Sequence, residues 1–288
     1  FADSSTSSLR SFANLSFSYS RVNGNLLLEK YDVLDSSVPP YRRLPDLTLN
    51  WSPTTDDIFS QLIIFRWTNF KHEMPDIKSQ GNRFHFDWSG SYRETRQYGF
   101  IEPALKIQAT GYSLERPTTE SPEQINRLIP TLTLDTGIFL ERNTAFDSTP
   151  ILQTLEPRLF AAYIPFEDQL DIPLFDTGLT ELNTASLFNA NRFSGIDRIG
   201  DTQHISASIT NRWLNGNSGF EYGYLTIGEI FYLNDRKLGL TDNTPNTDKT
   251  SGTLLSLGLN PFYHWQSSLS MTTSPKHDYI KNIGLTTQ

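Results

Sequence analysis

Apolar and polar residues alternate with a period of two along almost the whole chain. Leu9, Ser11, Ala13, Leu15, Phe17 and Tyr19 share one side of the first segment, while Arg10, Asn14, Ser16 and Ser18 lie on the other. Leu47, Leu49 and Trp51 oppose Asp46, Thr48 and Asn50, and Phe84, Phe86 and Trp88 oppose Arg83, His85 and Asp87. On a helix this spacing would scatter rings and charges around the circumference; on a strand it sorts them onto two faces. The pattern recurs in Leu105, Ile107 and Ala109, in Leu132 and Leu134, in Ile205, Ala207, Ile209 and Trp213, and in Leu255, Leu257 and Leu259. Roughly thirteen strands are predicted, and the fold class is all-β. Segments 57–71 and 219–234 alternate less cleanly, which predicts bulges there, with Gly223 and Gly228 as their sites.

Short and long connections take turns between these strands. The short ones are Arg21–Asn25, whose Asn-Gly pair is a hairpin signal, then Ser52–Asp56, Gln97–Phe100, Arg142–Thr149, Asn215–Ser218 and Asn260–Pro261. The long ones are Asp32–Tyr41, His72–Gly81, Arg116–Asn126, Pro165–Asp201 and Asp235–Thr250, with Thr273–Asp278 in a long position although itself short. Tight turns at one end of an antiparallel sheet and long loops at the other are the pattern of outer-membrane barrels. Pro165–Asp201 is exceptional among them. It carries Phe175, Leu187, Phe188, Phe193 and Ile196 among its charges, which predicts a folded and functional loop.

Composition narrows the solvent. The chain has 288 residues, enough for one large β domain or two ordinary ones, with 37% hydrophobic but 12% aromatic residues. Large rings matter more here than a thick aliphatic core. No run approaches the ~18 apolar residues of a membrane helix, and Leu62–Phe65 is followed at once by Arg66. A helical membrane protein is excluded, but a barrel is not, since its strands need only about 9–11 alternating residues. The net charge of −8 argues against a nucleic-acid partner. There is no cysteine, hence no disulfide or thiolate site. The opening Phe1–Leu9 has neither a basic start nor an apolar segment, so the chain is expected to begin mid-protein or as a processed product.

Ring placement fits a membrane. Trp51, Trp213 and Trp265 each lie near a short turn, where one interfacial girdle would sit, and Trp67 and Tyr163 approach the long loops. Large rings would equally fill a β-sandwich or propeller core, and it is the alternation of loop lengths that favours the barrel.

A family resemblance adds to this reading. Arg127-Leu128-Ile129-Pro130, Asp135-Thr136-Gly137, Leu155-Glu156-Pro157-Arg158-Leu159, Tyr163-Ile164-Pro165 and Asp168-Gln169 stand in order along the chain. They are followed by Pro173-Leu174-Phe175-Asp176-Thr177, Leu187-Phe188, Asn191-Arg192-Phe193-Ser194-Gly195, Asp197-Arg198-Ile199-Gly200-Asp201 and Ile227-Gly228-Glu229-Ile230-Phe231-Tyr232. This succession resembles the barrel of the lipopolysaccharide-assembly outer-membrane protein family, LptD (OstA/Imp). Pro40-Tyr41-Arg42-Arg43-Leu44-Pro45 is similar at lower specificity. The sequence departs from the family pattern at Glu229, where Gln is commoner, and at Ala161-Ala162, which replace bulkier residues.

The resemblance implies an integral protein of the Gram-negative outer membrane. Residues 1–288 would form the middle part, about half, of an antiparallel transmembrane barrel of about twenty-six strands. A periplasmic jelly roll, the terminal barrel strands and the family's disulfide cysteines would lie outside the chain. It also implies transport rather than catalysis: lipopolysaccharide would arrive over a periplasmic bridge protein, LptA, reached through the missing N-terminal domain. From there it would enter the outer leaflet through a barrel plugged by the lipoprotein LptE.

Within that frame Pro165–Asp201 is a candidate lid, with Arg192, Asp197, Arg198 and Asp201 expected to pair with Asp176 or Glu167; the alternative is a solvated surface loop. Arg83, His85, Asp87, Lys106, Glu156 and Arg158, together with Gln108 and His204, are expected to face the lumen, for hydration more than for ligand contact. Trp51, Trp67, Trp213 and Trp265 are expected at the membrane interfaces.

No catalytic motif competes. There is no hydrolase elbow, P-loop, dinucleotide fingerprint or HExxH, and the five histidines fall on different segments. Asp242–Asp248 is oxygen-rich but lacks the glycine and terminal glutamate of a calcium loop, so neither metal nor cofactor is expected, and the stretch is read as a polar loop. Two other readings remain open at this stage. One is a porin or receptor barrel for small solutes, the other a soluble carbohydrate-binding β protein.

Overall fold

A computed structural model describes residues 8–34, 38–53, 58–116, 122–262 and 264–287. The opening residues 1–7 and parts of three predicted connections, 35–37, 54–57 and 117–121, lie outside the described residues. The strands are β1 (Ser8–Tyr19), β2 (Val22–Val33), β3 (Arg42–Trp51), β4 (Phe59–Lys71), β5 (Gln80–Tyr92), β6 (Glu94–Arg96), β7 (Gly99–Glu115) and β8 (Gln124–Ile138). They continue with β9 (Leu140–Phe146), β10 (Thr149–Ile164), β11 (Thr202–Asn215), β12 (Glu221–Tyr232), β13 (Leu254–Phe262), β14 (Trp265–Thr273) and β15 (Ile280–Thr287). Every paired neighbour is antiparallel. A single path of thirteen strands runs from β1 to β15 in chain order, while β6 and β9 extend hairpins off β7 and β10. This is the all-β antiparallel barrel wall that the alternation predicts.

Register turns the alternation into two faces. Leu49, Phe65, Phe86, Ala109 and Leu128 stand side by side across β3, β4, β5, β7 and β8, and the next row is Thr48, Arg66, His85, Thr110 and Arg127. The first row is largely bare: Phe86 is 43% exposed and Leu128 65%. The second is covered, with His85 and Arg127 at 4% each. A water-soluble protein distributes these residue types the other way round. No second sheet covers the outward rings, because the described strands form one sheet.

The covered face is packed by the 165–201 loop, and the apolar core lies between that loop and the wall. Phe175 joins Phe70, Tyr112 and Leu114, its ring stacked on Phe70 with centroids 4.2 Å apart. Ile199 packs on Ile129 and Ile164, and Leu187 on Ile230 and Leu254. Burying each such side chain stabilises the docked loop by about 1.5–3 kcal/mol.

Three local expectations need correction. The Asn-Gly pair of Arg21–Asn25 is not the turn: Tyr19 pairs with Val22, and Ser20 takes the left-handed conformation instead. Gly24 lies within β2 under the Phe17 ring, which would collide with any Cβ there. The predicted turn Arg142–Thr149 is mostly β9, with the reversal confined to Asp147 and Ser148. The bulge expected in 57–71 lies opposite it in β3, between Arg43 and Asp46, and the second lies beside Gly223, where Trp213 pairs with Gly223 and Leu214 with Glu221. Gly228 is in regular register with Ser208. A Cβ there would come within 2.5 Å of Leu187 Cδ2, so glycine lets the loop sit against the wall. Gly228→Val should lift Leu187 from its seat at a cost of about 1–3 kcal/mol, read as faster proteolytic cleavage within 165–201.

Candidate functional site

The site is the interface between the inner wall and the long loop. Alternation along β5 sends Arg83, His85 and Asp87 inward, and β7 and β8 add Tyr112, Thr110 and Arg127 beside them. Arg83 is the hub. Its two terminal nitrogens donate to the two carboxylate oxygens of Asp176 at 2.7 Å each, and Nη1 also donates to Asp197 Oδ1 at 2.7 Å. Asp197 is 0% exposed, which costs a charge dearly unless every oxygen is satisfied. Tyr112 Oη donates to its Oδ1 at 3.1 Å, and the backbone N–H groups of Phe175 and Asp176 donate to its Oδ2 at 2.8 and 3.1 Å.

Arg127 fastens the loop by a different chemistry. It donates to Gln169 Oε1 at 2.7 Å, to the Ile196 carbonyl at 2.6 Å and to the Asp197 carbonyl at 3.1 Å. Gln169 in turn exchanges two hydrogen bonds of 2.9 Å with the backbone of Ile199. The loop is thus held by one buried ion cluster and one set of carbonyl contacts.

The predicted loop pairings are rearranged. Arg192 pairs with Asp201 at 3.6 Å and donates to the Asp201 carbonyl at 2.8 Å. Arg198 pairs with neither Asp176 nor Glu167; it donates to the carbonyls of Ile172 and Leu240 at 2.8 and 3.0 Å. Asp201 accepts the backbone N–H groups of Lys237 and Leu238 at 2.7 and 3.0 Å, tying the loop to the β12–β13 connection. Asn243, in the oxygen-rich Asp242–Asp248 stretch, donates to Asp168 at 3.1 Å, so that polar loop docks on the first.

The other inward residues form shorter-range pairs along the wall. Lys106 meets Asp87 at 2.7 Å, His85 Nδ1 lies 2.9 Å from Thr110 Oγ1, Arg158 grips Asp135 at 2.9 and 2.5 Å, and Glu156 lies 3.3 Å from Arg212. Alternating charges also run from the first strand to the loop. Arg10 and Arg43 both bind the buried Glu29, Arg43 lies 3.4 Å from Asp46, Arg66 binds Asp46 at 2.8 and 2.5 Å, and Arg66 lies 3.9 Å from Asp176. Glu29, Arg43, Asp46, Arg66, Tyr112, Arg127 and Gln169 were not singled out in the sequence as site residues. For Asp46 the signal was available, since it opposes Leu47, Leu49 and Trp51 on an alternating strand, whereas Arg66 lies in the 57–71 stretch that alternates less cleanly.

Outward, Trp51 closes β3 and Trp265 opens β14, both half-exposed. Trp213 lies near the end of β11, and Trp67 stacks on Phe84 while its indole N–H donates to Asn82 at 3.1 Å. Trp88, on the same side, donates to Gln61 at 3.2 Å.

Acid weakens the hub in a defined window. Burial opposes ionisation of Asp176, but the bidentate Arg83 guanidinium outweighs it and brings the carboxyl from its ordinary 3.8 down to about 2. A depressed folded value contributes stability that is complete above the ordinary one and is lost as pH falls through the folded one. The loop should therefore stay docked at pH 5 and begin to release as pH falls from about 4 toward 2. Pepsin cleavage within 165–201, followed against pH, measures this.

A family model described as "LptD: LPS transport system D" matches residues 2–287. The chain belongs to the LptD family. The "LPS-assembly protein LptD" of Pseudomonas entomophila (strain L48) is 41% identical over 189 residues, covering 60% of this chain and 20% of that protein. The protein of the same name from Pseudomonas syringae pv. tomato is 35% identical over 71% of this chain and 26% of its own length; that from Ralstonia nicotianae is 33% identical over 79% and 29%. The chain spans a fifth to under a third of the length of these relatives. LptD-family membership makes it an outer-membrane β-barrel chain, and its bare apolar face is the face turned to lipid. Among the described residues no helix is long and apolar enough to cross a membrane, and none is needed where strands do so.

Proposed function

We propose that this chain is part of the translocon that inserts lipopolysaccharide into the outer leaflet of the outer membrane, and that residues 165–201 are the lid over its lumen. The observation that carries this is the inverted wall: rings outward, and inward a charged face to which a long loop is fastened through Arg83. A glycolipid needs both environments, a wet lumen for its sugars and lipid for its acyl chains. A lumen enclosed by about twenty-six strands must also be closed when idle. The lid supplies that closure at the end of the long loops, which in such barrels is the extracellular end.

The two edges β1 and β15 have no partner beyond β2 and β14 among the described residues. Unpaired backbone is costly in lipid, so further strands of the full protein would complete the barrel on both sides. The plug lipoprotein LptE would fill the lumen beneath the lid, and the bridge protein LptA would deliver cargo through an N-terminal domain. Trp51, Trp213 and Trp265 would mark one membrane interface and Trp67 the other. Depleting the full-length protein should reduce lipopolysaccharide at the cell surface and cause it to accumulate inside. Undiminished surface lipopolysaccharide in depleted cells would refute the assignment.

A further inference from the structure

A cavity of about 390 Å³ lies on the inner face where the lid meets the β12–β13 connection and strands β11, β12, β14 and β15. The contacts already described fasten the lid at Arg83 and, through Arg192 and Asp201, to the β12–β13 connection, and they leave polar atoms on the wall side of this cavity unpaired. Two of its lining side chains are buried and have an unpartnered polar atom. His204, 3% exposed, bonds Thr202 through Nδ1 at 2.8 Å and has no partner for Nε2; Thr272, 5% exposed, has none for Oγ1. Thr272 pairs across the sheet with Leu254 and Asn282, so its hydroxyl is held in place by two neighbouring strands. Buried donors and acceptors of this kind are normally satisfied, and a rigid pair of unsatisfied ones in one cavity points to a ligand.

The lining selects the ligand class. Arg192 and Arg236 are both committed elsewhere: Arg192 to the carbonyls of Asp201 and Leu238, Arg236 to Asn246 and the Asp248 carbonyl. Lys281 also lines the cavity but is exposed, and Glu181 and Asp248 offset two of the three positive charges, so no cation is both buried and free to grip a phosphate as such a site needs. Acyl chains fit no better, because they would strip water from His204, Thr272 and Asn282 without replacing their hydrogen bonds. What remains around the polar atoms is a mixture of hydroxyls and amides with small apolar patches from Leu179, Leu182 and Ile230. That mixture matches a sugar ring, with polar hydroxyls at its rim and C–H groups on its faces.

We propose that this cavity is a saccharide-binding site that takes hydroxylated sugar units of the glycolipid beneath the lid. The proposal rests on the lipopolysaccharide reading above and adds a specific site to it. The test uses the full-length protein with its plug lipoprotein in detergent and fully deacylated lipopolysaccharide carbohydrate as the probe, titrated by saturation-transfer difference NMR. Thr272→Val keeps the shape and removes the hydroxyl; His204→Phe keeps a ring and removes both nitrogens. Each should weaken carbohydrate affinity about threefold to tenfold, the effect of one lost hydrogen bond. Inorganic phosphate and a free fatty acid should not displace the probe. Wild-type affinity in Thr272→Val, or displacement of the carbohydrate by phosphate, would overturn the site. If His204→Phe does not assemble, Thr272→Val decides alone. The depletion experiment above is independent: loss of surface lipopolysaccharide there, with no carbohydrate binding here, would remove this site and leave the broader function standing.

Discussion

Cells whose protein carries Arg83→Leu should become permeable to large antibiotics that an intact outer membrane excludes, and the lid should become open to protease at neutral pH. The expected loss of lid docking is about 3–5 kcal/mol, because removing one partner of a buried ion cluster leaves uncompensated charge behind. Here two carboxylates are stranded together: Asp197, wholly buried, and Asp176, which loses both contacts of a fork. They would also repel each other, so the docked state is penalised twice. Arg83→Lys is the informative companion. It keeps the charge but cannot grip Asp176 with two nitrogens while reaching Asp197 with one of them, so it should fall between wild type and leucine. Normal antibiotic exclusion and unchanged proteolysis in Arg83→Leu, at normal levels in the membrane, would show that the loop is held closed by something else.

The same geometry ranks the loop residues. Replacing Asp197 and Arg198 together by alanine should also loosen the lid, but the two halves of that double change act differently. Asp197→Ala removes the acceptor for Tyr112 and for two backbone N–H groups and leaves Arg83 still paired with Asp176. Arg198→Ala frees two carbonyls, which water can satisfy once the loop lifts. The ion cluster therefore sets the threshold for opening, and the apolar seats of Phe175, Leu187 and Ile199 set the resting position.

How much of this was legible beforehand follows from the range of each interaction. Period-two alternation is local, and it placed Arg83, His85 and Asp87 on one face and Phe84 and Phe86 on the other without reference to any distant residue. Loop lengths are equally local and pointed to 165–201. The partner of Arg83 is not local: Asp197 is 114 residues away, and charge alone made Arg192 or Arg198 as plausible a partner for Asp176. Arg198 shows why such guesses miss. Its bonds go to backbone carbonyls, which every residue carries, so sequence offers no distinguishing mark. Gly228 is a similar case, since its lack of a side chain serves Leu187 on the loop rather than the strand it belongs to.

Phe86→Arg should prevent the protein from assembling in the membrane. Phe86 lies near the middle of β5 on the outward row, with Phe65 and Ala109 beside it, and it is 43% exposed. In water an arginine at such a position would change stability by no more than about 0.5 kcal/mol, because nothing is buried and no partner is lost. At the middle of a lipid bilayer it costs about 2–4 kcal/mol. Thr133→Arg provides the matching change on the inner face, in the row of Ala104 and Ala162, where the guanidinium meets the wet lumen. The pair of variants should separate sharply, with Phe86→Arg lost from the outer-membrane fraction and degraded and Thr133→Arg recovered there. Equal recovery of both would mean that the outward rings meet water or another protein rather than lipid, and the inverted wall on which the transport reading stands would no longer require a membrane.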